Sequence, residues 1–212
     1  MSDLIEEIKE DVRLDQLIKF FRKYANHIIG VALVGIIFSA GYAFWQHSKE
    51  KQQRVTASAF DEALQLSLEG HSREAMELLT TLEKNASGGY AILAVFRRAM
   101  LGSTSSEDKI RLYRDIMENS GIEPKFRELA TVLWGYEGID SEDVTQLQQK
   151  LEPVAQSRSP WMNSAQELLA LLDIRKGEIK AATQRLHNLS NDENVISGVR
   201  TRAFALLEQL GH

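Results

Sequence analysis

The chain has 212 residues, of which 43% are hydrophobic and 26% charged, with a net charge of −5, 3 prolines and no cysteine. That acidic balance argues against a nucleic-acid partner, because neutralising phosphate needs clustered excess cation. The missing cysteines exclude disulfide staples, thiol catalysis and cysteine-ligated metal centres, without fixing the redox compartment. Residues 1–27 come first. Leu4, Ile5, Ile8, Val12, Leu17, Ile18, Phe21 and Tyr24 recur at the helical period, and Asp3 and Glu6 are spaced as a capping pair. The expectation is an amphipathic helical tail, acidic in its first half and basic near its end. It suits either a lipid surface or a docking partner.

Residues 28–45 read IIGVALVGIIFSAGYAFW, with no charged side chain. As a helix this run is roughly 27 Å long, near the ~30 Å hydrocarbon thickness of a bilayer. Tyr24, Tyr42 and Trp45 stand where interfacial aromatics are expected. A cleaved signal peptide is the rival reading, but the preceding region carries six acids and no good A-x-A pattern follows. A buried core helix fits less well between flanks rich in Lys and Arg. The segment therefore reads as a retained transmembrane anchor, inserted in a lipid bilayer. Within it Gly35 and Ser39 form a small-xxx-small pair, a candidate helix–helix contact. Lys19, Arg22 and Lys23 precede the run, and Lys49, Lys51 and Arg54 follow it with Glu50 among them. The two flanks nearly tie, and the acid-free cluster tips the N-terminus slightly toward the cytoplasm.

No sustained period-2 strand pattern follows in residues 46–212, but a repeat does. Glu74–Glu83, Lys109–Glu118, Asp143–Glu152 and Ala181–Ser190 align as second helices of hairpins, offset by 35, 34 and 38 residues. A second register has Tyr90, Phe126, Trp161 and Val199 each followed four residues later by alanine, at Ala94, Ala130, Ala165 and Ala203; Val55 and Ala59 repeat it upstream. A large residue with a small one a turn later lets neighbouring helices approach closely. Glycines 70, 102, 138 and 177 fall between first and second helices, and Pro124, Pro153 and Pro160 are assigned to linkers. Ser105–Asp108 and Asp140–Asp143 read as helix caps with first-turn acids. The fold expected is all-α: a single N-terminal transmembrane helix, then a tetratricopeptide-like α-solenoid of about four hairpins, closed by a capping helix at Val199–Leu210. No glycine or proline interrupts the chain between Gly41 and Gly70, so the stretch 46–54 is expected to be helical.

Motifs that carry chemistry are scarce. The five histidines are scattered, no H-E-x-x-H occurs, and no phosphate-binding glycine loop or nucleophile elbow is found. No catalytic residue, cofactor site or metal site is assigned, and the chain reads as a non-enzyme. Arg97, Arg98, Arg127 and Trp134 are the candidate partner-binding residues, on first helices, which line the groove of such solenoids.

The layout resembles the YfgM-like tetratricopeptide family, ancillary subunits of the bacterial Sec translocon. The stretches carrying the likeness are DQLIKFFRKY (Asp15–Tyr24), YAFWQ (Tyr42–Gln46), GGYAILAVFRRA (Gly88–Ala99) and SPWMNSAQELLALLDIRKGEIKAATQRL (Ser159–Leu186). The region 103–144 departs most. The resemblance implies an inner-membrane protein with a cytoplasmic N-terminus and its solenoid in the periplasm. It implies as partners the translocon, a membrane-anchored periplasmic chaperone of the prolyl-isomerase type, and newly exported polypeptides. A cytoplasm-facing scaffold or regulator of another membrane complex is the alternative.

Overall fold

The computed structural model describes residues 38, 39, 42, 44–86 and 88–211. The tail at 1–27 and most of the expected anchor at 28–45, Gly35 included, lie outside the described residues. Among the described residues no helix is long and apolar enough to cross a membrane. The chain forms two units, Met1–Val55 and Thr56–His212.

Nine helices and no strands are found among the described residues. They are α1 (44–68), α2 (Ser72–Asn85), α3 (Gly89–Ala99), α4 (Ser106–Glu118), α5 (Pro124–Gly138), α6 (Val144–Ala155), α7 (Met162–Arg175), α8 (Ile179–Asn191) and α9 (Ser197–Gln209). The stretch 46–54 is helical, as expected from its lack of breakers. From Thr56 onward, odd-numbered helices take the first place in each hairpin and even-numbered helices the second. All four aligned second-helix segments fall in α2, α4, α6 and α8, and α9 is the unpaired terminal helix.

The boundaries follow local chemistry. Ser105 caps α4 by accepting from the Asp108 N–H, and Asp143 caps α6 by accepting from the Gln146 N–H. After α1 and α7 the chain turns through Gly70 and Gly177, at φ of 85° and 78°. There the next residues fold back: the His71 N–H donates to the Leu66 carbonyl and the Glu178 N–H to the Asp173 carbonyl. This is the left-handed helix stop that glycine makes cheaply. Pro153 corrects one expectation, because it lies inside α6 and not in a linker. Its missing N–H would have served the Gln149 carbonyl, and the helix ends at Ala155, so only the last turn loses a bond.

Burial separates the two rows of helices. The second helices α2, α4 and α8 bury one stripe each: Ala75, Leu79 and Leu82; Leu112, Tyr113 and Ile116; Ala182, Leu186 and Leu189. By contrast α7 buries Glu167, Leu168, Leu169, Ala170, Leu172 and Asp173, a nearly continuous run, since it has neighbours on most sides. Alanines 94, 130, 165 and 203 are fully buried, which accounts for the large–small register as helix packing. The core is a succession of clusters along the stack. One joins α1–α3 around Leu79, the largest spans α3–α7 around Trp134 and Leu151, and a third joins α7–α9 around Leu186 and Leu207. Each hairpin completes its core on the next, as in a repeat array.

Candidate functional site

The four candidate side chains do not converge. Arg97, on α3, is partly buried and donates from Nη2 to the Ser67 hydroxyl of α1 at 2.9 Å. Arg98, its neighbour, turns to α2, where Nη1 lies 2.7 Å from Glu83 Oε2. Arg127, on α5, is partly buried, with Nε shielded from solvent and without a hydrogen-bond partner. Trp134 is a core residue and not a partner contact, because it is 1% exposed. Its ring sits in the largest core cluster beneath the Arg114 guanidinium, 5.9 Å from ring centroid to Cζ. The reason is its position on α5, where it shares the inward face with Ala130. Ser39 is helical and exposed, whereas its expected companion Gly35 lies outside the described residues.

The strongest polar constellation is one the sequence reading passed over. Glu167 of α7 is 2% exposed. Tyr136 of α5 donates its hydroxyl to Glu167 Oε2 at 2.7 Å, and Arg202 of α9 donates from Nε and Nη2 to Oε1 and Oε2 at 2.6 and 2.7 Å. One carboxylate thus links three successive first helices. Burial, then the hydrogen bond to Glu167, pushes the Tyr136 hydroxyl up to about 12. The same carboxylate raises the Arg202 guanidinium above its ordinary value, so it stays charged.

A second buried acid, Asp173, is 4% exposed and receives Arg185 Nε from α8 at 2.9 Å. Arg185 also donates to Gln166 Oε1, and Gln166 passes its own N–H to the Ala155 carbonyl of α6. Arg175 closes the set by donating to the Ile139 and Glu142 carbonyls, beyond the end of α5. Asp173 and Gln166 are thus both tied to Arg185, and Arg175 to backbone carbonyls. Both oxygens of the Glu167 carboxylate are engaged, by the arginine fork and by the tyrosine hydroxyl. Among the described residues no group of three His, Asp or Glu side chains could hold a metal ion.

The geometry is that of helical hairpins stacked through first helices, with its polar contacts spent on holding the stack. Residues 19–109 match the tetratricopeptide repeat-like domain. A tetratricopeptide repeat-like domain is present. The all-α array of Thr56–His212 is therefore a tetratricopeptide-like solenoid, a type that serves as a protein–protein interaction module and is generally a non-catalytic scaffold. The match is to the domain type and does not single out the YfgM-like family. No curated protein and no solved structure matches the chain.

A clue to the missed residues was present in their spacing. Tyr136, Glu167 and Arg202 stand 31 and 35 residues apart, close to the repeat period. A tyrosine, an acid and an arginine at one-repeat intervals on first helices is a ladder in waiting.

Proposed function

We propose that this protein is a membrane-anchored, non-enzymatic interaction module, with residues 28–45 as the anchor, 1–27 as a cytoplasmic tail and 46–212 as an extracytoplasmic tetratricopeptide-like domain. In this reading it sits in a bacterial inner membrane as an ancillary subunit of the Sec translocon. There it binds a membrane-anchored periplasmic chaperone of the prolyl-isomerase type and newly exported polypeptides, and assists their chaperoning. One observation carries the reading. The domain match opens at residue 19, ahead of the charge-free run, and continues through the first hairpin and α3 to the start of α4, so the run and the first repeat lie within one matched unit. The likeness of Asp15–Tyr24 and Ser159–Leu186 to the YfgM-like family supplies the partners.

The absence of cysteine makes the orientation test clean. Ser120 is exposed. Ser120→Cys in the full chain should react with a membrane-impermeant maleimide in intact spheroplasts. Reaction only after lysis overturns the extracytoplasmic reading and favours the cytoplasm-facing scaffold, which the three-against-three basic flanks also accommodate. Photo-crosslinking from the α3 surface at Leu93 then identifies translocon or chaperone partners.

A further inference from the structure

The first two complete hairpins of the array enclose a cavity of about 410 Å³, within the size range of pockets that hold small ligands and side chains. Its floor is apolar: Ala91, Ile92 and Val95 from α3 meet Ile116 from α4, with Ile122 from the turn before α5. At 100° per residue, Ala91, Ile92 and Val95 lie on the side of α3 opposite Leu93, Arg97 and Met100. The cavity is therefore separate from the surface on which Arg97 meets Ser67.

Its rim has one sign. Glu83 and Asp115 line it, and no lysine, arginine or histidine does. Glu83 is already paired with Arg98. Asp115, exposed on α4, makes no ion pair or hydrogen bond among the described residues, so its charge is available to an incoming cation. The third feature is the start of α3. Gly88 is its N-cap and no side chain caps the helix, so the first-turn N–H groups keep their donors. A side chain built on either Gly88 or Gly89 would meet nothing within 4 Å, so another backbone can come close here.

We propose that this cavity binds an extended polypeptide segment in which a bulky apolar side chain adjoins a lysine or arginine. The apolar side chain fills the floor between α3 and α4. The neighbouring cation pairs with Asp115, and a backbone carbonyl accepts from the uncapped start of α3. A purely apolar ligand would leave the carboxylate and the free N–H donors unused, and an anion would be repelled by the rim. Such segments are what an unfolded exported chain presents, so the inference deepens the interaction-module reading and rests on it.

The test uses the full chain in detergent and a fluorescein-labelled peptide alternating Leu or Phe with Lys, read by fluorescence anisotropy. A second peptide carries Glu in place of every Lys. The Lys peptide should bind and the Glu peptide should bind about tenfold more weakly or not at all. Asp115→Lys, at an exposed site that leaves the fold alone, should weaken the Lys peptide about tenfold and improve the Glu peptide. Ala91→Trp should block both, and Leu93→Ser, on the opposite face, should leave both unchanged. Equal binding of the Lys peptide by wild type and Asp115→Lys overturns the proposal, as does loss of binding in Leu93→Ser alone. Peptide binding in detergent is independent of orientation in the membrane. A cytoplasmic result at Ser120→Cys would thus overturn the export reading and leave the cavity's specificity standing, and the reverse failure is equally distinguishable.

Discussion

Arg202 grips both oxygens of Glu167, at 2.6 and 2.7 Å, although the arginine side chain is 54% exposed and the carboxylate only 2%. The pair is therefore asymmetric. Removing Glu167 releases an arginine that water can solvate, whereas removing Arg202 strands a buried charge with only the Tyr136 hydroxyl for company. Arg202→Ala should cost about 3 kcal/mol, the low end for breaking such a pair because solvent reaches its edge. Glu167→Gln keeps the shape and part of the bonding and should cost about 1–2 kcal/mol. The double replacement Glu167→Leu with Arg202→Met should recover most of the loss. Urea unfolding of the full chain, followed by circular dichroism, ranks the three. A smaller loss in Arg202→Ala than in Glu167→Gln would contradict the asymmetry.

Tyr136 makes stability depend on alkaline pH. Burial and the bond to Glu167 raise its hydroxyl from 10.0 to about 12, so folding favours the neutral phenol. A group raised in this way contributes its full stabilisation below the unfolded value and loses it as pH climbs through the folded one. Tyr113, raised by burial and by Glu137, acts in the same direction. Stability should therefore be flat up to about pH 9.5 and fall between roughly pH 10 and 12. Tyr136→Phe should remove part of that slope while lowering stability near neutrality by about 1 kcal/mol. Phenolate absorbance and unfolding midpoints across this window measure both effects.

Gly135 shows how closely α5 approaches its neighbours. A Cβ there would lie 2.9 Å from Leu168 Cδ1 and 3.3 Å from Leu151 Cδ2, and both leucines are fully buried. Neither can move without displacing the core, so Gly135→Ala should cost about 1–3 kcal/mol despite the helix propensity it gains. Gly102→Ala meets nothing within 4 Å and should be close to neutral. Thermal melts of the two single variants make the comparison.

The helix starts offer a smaller and more local test. Ser105 accepts the Asp108 N–H, and Asp143 accepts the Gln146 N–H at 2.9 Å. Ser105→Ala and Asp143→Ala should each cost about 1 kcal/mol. Hydrogen exchange should report the loss in the first turns of α4 and α6, with the distant α8 unchanged.

Where sequence foresight succeeded and failed follows from what each feature depends on. The second helices were legible because each faces solvent on one side, and Ala75/Leu82 or Ala182/Leu189 therefore stand out against polar neighbours. The buried alanines were legible because close helix approach demands them at a fixed place in every repeat. Trp134 was not, since an aromatic on a central helix suits a groove and a core equally until its neighbours are known. Glu167 and Asp173 were invisible as buried groups. Their burial depends on Arg202 and Arg185, which arrive from later helices. Pro153 was misassigned because proline is read as a breaker, while a last-turn proline removes only one bond. The cavity beside α3 depends on how α4 and the turn through Ile122 pack, and no short motif encodes that.

The Tyr136–Glu167–Arg202 ladder bears on how the array would come apart. A stack held only by neighbouring apolar contacts can unzip one hairpin at a time. Here an ionic rung ties α7 to α9 and a hydroxyl rung ties α5 to α7, so the C-terminal hairpins must let go together. At the opposite end α1 meets α3 through a bond from Arg97 to a serine hydroxyl and an edge-on contact of the Phe60 and Tyr90 rings. Under mechanical load or thermal fraying, the array should therefore peel from its α1 end first. Its other end should stay shut until most of the load has been spent.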